Sequence, residues 1–265
     1  MNERDRMLAE QALRKGLRTR AFGSKIFVFD TIDSTNNCAK AVAGCGAAEG
    51  TVVIAEQQTE GKGRHGRLWQ ANPNENLMFS LVLRPKLTPE GLNLLPLYVA
   101  VGVAEAIERQ TGLKVECKWP NDLLINKKKV AGILIEGSIK KGLVEHVVVG
   151  IGINVNQQMF GNDLAHKATS LRLESGKELD RTSIFKEVLL SLEKTYQSSA
   201  GTAFQSIVPH WLLHTTMINK NISVSLQGNI ISGIVKGLSP EGGLILQSNG
   251  DEKTVFAGDV TVLGM

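Results

Sequence analysis

Residues Gly61–Trp69 (GKGRHGRLW) combine three glycines with a run of cationic and titratable side chains. Glycines let the backbone approach a ligand closely, and their amides can face anionic oxygens. Trp69 adds a flat apolar surface. The charged or titratable side chains are Lys62, Arg64, His65 and Arg67. This composition predicts a flexible loop that orders over an anionic ligand, although a solvated basic hairpin tip is the alternative.

The same segment matches the pattern G-x-G-x-x-G and follows a predicted strand, but a dinucleotide-binding interpretation fails. In such proteins the loop opens directly into a helix whose N-terminus holds the pyrophosphate. Here residues 70–76 (QANPNEN) follow, and they cannot begin a helix promptly. The pattern G-x-x-x-x-G-K-[ST] of nucleotide triphosphatases is also absent from the sequence.

Three further segments carry polar groups at strand ends. Residues 118–122 (KWPND) place Asn121 and Asp122 side by side, although Pro-Asn-Asp is also ordinary turn chemistry. Lys129 ends a lysine run that is usually solvated, yet it precedes a buried strand and can be drawn inward. In residues 150–156 (GIGINVN), Asn154 can bond a phosphate or a ribose, and the glycines leave room for a ligand on the backbone.

Hydrophobic patterning predicts the elements that must position these segments. Ser34 and Thr182 are predicted helix caps, and Pro96 is expected to kink or delay the helix that contains it. Strands are predicted over residues 27–29, 51–56, 76–84, 115–118, 122–125, 130–137 and 145–151, and helices over 5–18, 34–44, 88–112, 182–198 and 202–213.

Strands and helices do not alternate regularly, so the main part is predicted to be α+β, a mixed sheet with packed helices, rather than a doubly wound sheet. From residue 219 the sequence changes to short β-branched segments between glycine turns, which predicts a small all-β barrel. Its strands are predicted over residues 222–226, 230–236, 243–247 and 253–256. We therefore expect an N-terminal helical arm at 1–25, a main domain at 26–218 and a β domain at 219–265.

Charge and composition exclude several classes of protein. Residues 1–25 hold seven basic and three acidic residues, which accounts for the whole net charge of +4 among 265 residues. The neutral remainder does not suit a polycationic nucleic-acid binder. The sequence lacks an apolar run of the roughly 20 residues that a membrane span needs. Three cysteines without a CxxC pair favour a cytoplasmic setting. His210 and His214 lack the Glu of a zinc-binding H-E-x-x-H motif.

Taken together and in order, the motifs are more specific than any one of them. They are Asp33–Asn36, Gln57-Gln58 with the basic loop, KWPND, KKKVAGILIE at 127–136, GIGINVN, and the glycine-rich C-terminal segment. This set resembles the biotin protein ligases. The resemblance implies a catalytic domain like that of class II aminoacyl-tRNA synthetases and an SH3-like C-terminal barrel.

The resemblance also implies an activity, in which biotin and ATP form biotinyl-5′-AMP and the biotinyl group is then transferred to one lysine of a biotin carboxyl carrier protein. Arg64 and Lys129 are the catalytic candidates. The substrate-binding candidates are Ser34, Thr35, Asn36, Gln58, Gly61, Lys62, Gly63, Arg64, Trp69, Lys129 and Gly132. The nucleotide and phosphate candidates are Arg67, Lys118, Asn121, Asp122 and Asn154, and the adenine pocket is expected within residues 157–171.

The resemblance further implies Mg²⁺ carried with ATP, with Asp122 as one candidate ligand, and no tightly bound prosthetic group. Relatives that double as repressors carry an N-terminal DNA-binding domain; only about 25 residues precede the first predicted strand, so we expect no nucleic-acid partner. The strand near residues 145–149 is expected to have an exposed edge that could pair with a second copy. A lipoate ligase of the same fold, a biotin-sensing protein without turnover, and a DNA-binding regulator are the competing hypotheses.

Overall fold

The computed structural model describes residues 8–226, 228–248 and 250–263. At its N-terminal end, α1 (Glu10–Arg14) is shorter than the helix predicted over 5–18. It ends because Gly16 takes a left-handed backbone, with φ of 72°. The first part of the predicted helix, up to residue 7, lies outside the described residues.

A seven-stranded mixed sheet forms the main part of the chain, in the order β1-β2-β3-β7-β6-β5-β4. Only β1 and β2 pair in parallel, and the other neighbours are antiparallel. This confirms the predicted α+β class. The strands are β1 (Ile26–Ile32), β2 (Val52–Gln58), β3 (Leu77–Leu83), β4 (Glu116–Lys118), β5 (Asp122–Ile125), β6 (Lys128–Lys140) and β7 (Leu143–Ile153).

The expectation of an exposed edge near residues 145–149 is wrong for residues 147–149. These residues belong to β7, which lies inside the sheet between β3 and β6. From Val147 onward both edges of β7 are paired, for example through Val149↔Leu81 and Val149↔Ile135, whereas the pairing with β3 does not extend to Glu145 and His146. Order along the chain could not reveal this position, because β7 pairs with a strand some 70 residues earlier. The outer strands are β1 and β4.

Helices cover both faces of the sheet. α2 (Thr35–Gly44) packs Ala39 and Ala43 on one face, against Val53 of β2 and Val148 of β7. The other face carries α3 (Leu95–Thr111) and α5 (Arg181–Ser199). The two cross closely at Gly102, where an added Cβ would lie 2.8 Å from Leu192 Cδ2.

The predicted helix over 88–112 begins as a 3-10 helix at Pro89–Leu94, and α3 follows with Pro96 in its first turn. Proline delays the α-helix here, as expected, because it fits the first turn without a lost hydrogen bond. Residues Pro89–Thr111 are long and apolar enough to cross a membrane, but most of their apolar stretch is buried inside the protein. Their hydrophobicity is therefore that of a core helix.

The remaining helices differ from the prediction at their ends. Asp180, not Thr182, caps α5, and its Oδ1 accepts from Thr182 N at 2.9 Å. The helix predicted over 202–213 is divided, because Ala203 and Phe204 take positive φ values of 48° and 67°. A 3-10 turn at Ala200–Thr202 precedes that break, and α6 (Ile207–Leu213) follows it. The short α4 (Leu171–Ser175) was not predicted.

A five-stranded antiparallel sheet forms the C-terminal part, in the order β11-β10-β9-β8-β12. It confirms the all-β character predicted from residue 219 onward. The fifth strand, β12, was missed: it begins with Asp259, a poor strand former, and it pairs with β8 rather than with its neighbour in sequence. The strands are β8 (Asn221–Leu226), β9 (Asn229–Leu238), β10 (Leu244–Ser248), β11 (Asp251–Val255) and β12 (Asp259–Val262).

Candidate active site

A cavity of about 480 Å³ lies where the basic loop crosses the seven-stranded sheet and meets the C-terminal sheet. Every predicted site residue except Gly61 lines it. The lining members of that set are Ser34, Thr35, Asn36, Gln58, Lys62, Gly63, Arg64, Arg67, Trp69, Lys118, Asn121, Asp122, Lys129, Gly132 and Asn154. Residues separated by up to 120 positions in sequence are thus brought to one place.

The basic loop is a hairpin. Trp69 N donates to Gly61 O at 2.9 Å and Gly63 N donates to Arg67 O at 2.8 Å. Gly61 lies at its base rather than on the cavity wall, and an added Cβ there would be 2.5 Å from Trp69 O. The glycine therefore serves a close approach between the two strands of the hairpin, which places Trp69 over the sheet.

The loop is bonded to the C-terminal sheet. Arg64 Nη1 donates to Asn121 Oδ1 at 3.2 Å and to Gly258 O at 3.3 Å. Arg67 forms an ion pair with Asp259. Burial lowers the pKa of Arg64, and the nearby Asp122 carboxylate opposes that effect. The C-terminal sheet consequently forms part of the cavity wall, through Asp259 and Val260.

Trp69 rests on a glycine floor. Gly132 of β6 and Gly152 of β7 are paired across the two strands. An added Cβ would lie 2.9 Å from Trp69 Cζ3 at Gly132 and 2.4 Å from Trp69 Cε2 at Gly152. Lys129 Nζ lies 5.5 Å from the centre of the Trp69 ring and 2.6 Å from Asp122 Oδ1. The lysine predicted to turn inward does so, between an aromatic face and a carboxylate.

Polar groups at the start of α2 form the opposite wall. Thr35 N donates to Gln58 Oε1 at 2.7 Å, which links the helix start to the end of β2. Asn36 Nδ2 donates to Glu136 Oε2 at 2.7 Å, and its Oδ1 accepts from Ser80 Oγ at 2.6 Å. Ser34 occupies the N-cap position, but among the described residues its side chain accepts no amide from the first turn.

Asn154 ends the cavity beyond β7. Its Nδ2 donates to Thr169 O at 3.0 Å. Its Oδ1 is buried and has no hydrogen-bond partner within the described part of the chain. A buried acceptor of this kind is costly unless a ligand or solvent satisfies it. The predicted adenine segment lies alongside, and its lining residues are Phe160, Leu164, His166, Lys167 and Ala168.

Oxygen donors for a divalent cation are few. The residues that the structure describes contain no group of three or more His, Cys, Asp or Glu suited to a metal. Asp122 and Asn154 nevertheless offer a carboxylate and an unpartnered carbonyl oxygen to the same cavity. Such a sparse oxygen set suits Mg²⁺ that arrives with phosphates better than a resident ion. His210, which with His214 lacks the Glu of a zinc motif, has its Nδ1 within hydrogen-bond distance of Ser206 O, at 3.0 Å.

Sequence reasoning missed several lining residues. Asp259 and Val260 belong to β12, and no local pattern indicates that this strand reaches the basic loop. Trp119 and Pro120 lie inside the KWPND segment, but only Lys118, Asn121 and Asp122 of that segment are predicted site residues. Trp119 Nε1 donates to Gly242 O at 3.1 Å, a second link to the C-terminal sheet. Met78 lines the cavity from β3 and carries no polar signal.

Comparison with known proteins identifies this arrangement. Residues 28–154 match the biotin/lipoate A/B protein ligase family and residues 217–263 match the biotin protein ligase C-terminal domain. The fold and the site thus define an α+β ligase of the biotin/lipoate type with an appended β domain.

Individual relatives narrow this class. The chain is 36% identical over 255 residues to the bifunctional ligase/repressor BirA of Bacillus subtilis, covering 96% of this chain and 78% of that protein. It is 32% identical to the biotin–[acetyl-CoA-carboxylase] ligase of Mycobacterium tuberculosis, over 99% of this chain and 100% of that protein. A biotin protein ligase from Aquifex aeolicus, solved in complex with biotin and ATP, superposes with a TM-score of 0.77 at 28% identity. The superposition covers 90% of this chain and 98% of that one. The chain belongs to the biotin protein ligase family.

Proposed function

We propose that the cavity is where this ATP-dependent biotin protein ligase joins biotin to AMP and then hands the biotinyl group to a carrier lysine. The observation that carries the proposal is the cavity itself, in which cations, the Trp69 indole and Asn154 Oδ1 converge, the last without a hydrogen-bond partner among the described residues. The M. tuberculosis relative is named a biotin–[acetyl-CoA-carboxylase] ligase, and the A. aeolicus biotin protein ligase was solved with biotin and ATP bound.

The chemistry explains the cations. A carboxylate oxygen of biotin attacks the α-phosphate of ATP, the bond to pyrophosphate breaks, and biotinyl-5′-AMP forms. Two anions must meet in this step, so positive charge aimed at the reacting oxygens lowers the barrier. Lys129 and Arg64 take this role in the proposal, since both line the cavity and Lys129 lies beside Trp69.

The second step needs no nucleophile from this chain. The amine of the acceptor lysine attacks the biotinyl carbonyl, the bond to the phosphate oxygen breaks, and AMP leaves. Before that step the adenylate must be kept from water. The basic hairpin suits this purpose, because Arg64 and Arg67 hold it against the C-terminal sheet over the cavity.

The substrates are assigned to the two ends of the cavity. Biotin lies between Trp69 and the start of α2, where Ser34, Thr35, Asn36 and Gln58 offer hydroxyl and amide groups to its ureido ring. The nucleotide lies toward Asn154 and residues 160–168, with Lys118 and Asn121 near the phosphates. Mg²⁺ carried by ATP would neutralise phosphate charge when bound, with Asp122 and Asn154 as its protein oxygens.

The partners and setting belong to the same proposal. The acceptor is a biotin carboxyl carrier protein, such as that of acetyl-CoA carboxylase, and the setting is the cytoplasm. The chain divides at residues 25 and 218 into an N-terminal arm, a catalytic domain and a C-terminal β domain. A homodimer could not pair along residues 147–153 of β7, because both edges of the strand are occupied there.

Biotin-dependent exchange of pyrophosphate into ATP tests the first step. Biotin should support exchange by the purified chain, and lipoate should not. Exchange with lipoate alone would favour a lipoate ligase of the same family, and binding of biotin without any exchange would favour a sensing protein. Transfer is tested with a purified carrier domain and the same domain with its acceptor lysine changed to arginine. A gel shift with DNA should show no specific complex.

A further inference from the structure

A buried polar network lies behind the cavity and uses no predicted site residue except at its far end. Glu56 of β2 and Arg181 of α5 are 3% and 5% exposed. Arg181 Nη1 donates to Glu56 Oε2 at 2.6 Å, and Nη2 donates to Glu56 Oε1 at 3.1 Å. Nη1 also donates to the backbone oxygen of Asn76 at 2.9 Å. The guanidinium thus joins α5, β2 and the start of β3.

Asn76 extends this network to the segment that follows β7. Its Oδ1 accepts from Val155 N at 3.0 Å, and its Nδ2 donates to Gln157 Oε1 at 2.5 Å. The residue between them is fixed as well: Asn156 exchanges two hydrogen bonds with the backbone of Leu179, at 2.9 and 3.0 Å. Leu179 lies just before α5, so both sides of the segment lead back to Arg181.

Stability alone does not account for this arrangement. Burying two charges costs free energy that their attraction only offsets, and an apolar pair of similar volume is often as stable. A paired carboxylate and guanidinium instead specify position, because the planar fork accepts few geometries. The network fixes the position of the segment that begins at Asn154. Asn154 Oδ1 is buried at the cavity and has no hydrogen-bond partner among the described residues.

We propose that Glu56, Arg181 and Asn76 are positioning residues for the nucleotide and leave biotin binding largely untouched. The proposal rests on the proposed function, which places ATP at the Asn154 end of the cavity. The biotin end is held by separate contacts, those of Asn36 with Ser80 and Glu136.

The test compares Michaelis constants in pyrophosphate exchange by the full chain. One variant, Glu56→Leu with Arg181→Met, removes both charges of the pair together. The second, Asn76→Asp, keeps the acceptor for Val155 N and loses the donor to Gln157. Each should raise the KM for ATP about tenfold, since small displacements of a binding group have effects up to about a hundredfold. The KM for biotin should stay within about twofold of its original value.

The matched control is Glu193→Gln on the same helix. Glu193 is also buried, and its carboxylate accepts from the amides of Arg20, Ala21 and Phe22. None of these partners, within the described part of the chain, belongs to the segment after β7. This variant should lower Tm and leave both KM values unchanged. An increase in its KM for ATP as large as that of the network variants would show a general effect of destabilisation and would overturn the proposal.

Other outcomes also decide the matter. Equal changes in the KM for ATP and for biotin, or a lower Tm with the KM for ATP unchanged, would leave the network a purely structural one. If the double variant does not fold, Asn76→Asp carries the test. Failure of the proposed function has a different signature, since the unmodified chain would then not exchange with biotin. Calorimetric titration with ATP would in that case still compare nucleotide affinity among the variants.

Discussion

Adding one methyl group to the glycine floor is expected to disable the site without unfolding the protein. In Gly152→Ala, the new Cβ would lie 2.4 Å from Trp69 Cε2 and 2.6 Å from Cζ2, where ordinary contacts begin at 3.4 Å. The indole must therefore move by about 1 Å, the difference between 3.4 and 2.4 Å. An indole is rigid, so the displacement reaches the cavity and its neighbour Lys129.

The magnitude follows from two effects. Overpacking of this kind costs typically about 1–3 kcal/mol of folding free energy, which the domain should survive. A displacement of about 1 Å in a binding group can cost on the order of a hundredfold in rate. We therefore expect kcat/KM for biotin in pyrophosphate exchange to fall by roughly one to two orders of magnitude, with a cooperative melting transition retained.

Gly237→Ala is the matched control, because this glycine also lies in a strand and an added Cβ meets nothing within 4 Å. It should leave kcat/KM unchanged. The double variant Gly152→Ala with Trp69→Ala should lose no more activity than Trp69→Ala alone, since the clash is then absent. An unchanged kcat/KM in Gly152→Ala would contradict the proposed clash. A loss from Gly152→Ala that persists in full on top of Trp69→Ala would contradict it as well.

Three further predictions concern the loop and the α2 wall. Arg64→Ala should release biotinyl-5′-AMP roughly ten- to a hundredfold faster, because hydrogen bonds to a charged group are worth about 1.5–3 kcal/mol, and bystander lysines should become labelled. Asp259→Asn should accelerate release by no more than about fivefold, since its partner Arg67 is largely exposed and such pairs contribute about 0–1 kcal/mol. Glu136→Gln should make the loss of folding stability at acidic pH less steep. Burial alone would raise the pKa of Glu136, but the hydrogen bonds from Lys40 and Asn36 lower it. That carboxylate stabilises the fold above its unfolded pKa, and the benefit is lost as pH falls through the folded value.

Each of these has a direct measurement. Adenylate retention is followed by gel filtration of the labelled intermediate, and bystander labelling by blotting with streptavidin. Unchanged retention in Arg64→Ala would remove that residue from the closing role, and a larger effect in Asp259→Asn than in Arg64→Ala would invert the proposed order. For Glu136→Gln, Tm is measured from neutral pH to below the ordinary Glu value of 4.5. Parallel Tm curves would contradict the assignment.

Local signals in the sequence predicted most of the elements and four segments of the cavity, namely the basic loop, KWPND, Lys129 and GIGINVN. The reason is that glycine spacing, strand patterning and proline positions are readable within a few residues, as at Pro96 and in the hairpin around Arg64. The residues at the start of α2 and Gln58 were predicted only from the family resemblance. What depended on pairing between distant segments was not readable. The interior place of β7, the reach of Asp259 to the loop, and the bond from Arg181 to Glu56 all depend on contacts across more than 60 positions.

The exact positions of helix ends were also not readable from the sequence. Thr182 and Asp180 are both acceptable caps by type, and only the backbone geometry selects Asp180. The position of the break at Ala203 and Phe204 is not readable either, since both residues take a left-handed backbone that their types disfavour. Gly201 and Pro209 flank the break without marking where it falls.

The contribution of the C-terminal sheet to the cavity wall has a consequence for dividing the protein. Because Asp259 and Gly258 are tethered to the loop that they contact, they are present at an effective concentration on the order of millimolar. Two fragments separated near residue 218 would lose this tether, and they would associate only at a sufficient concentration of each fragment. Split versions of this ligase should therefore depend on fragment concentration, and a fused dimerisation module should restore them, which makes the boundary between the two sheets a place to build a conditional biotinylation switch.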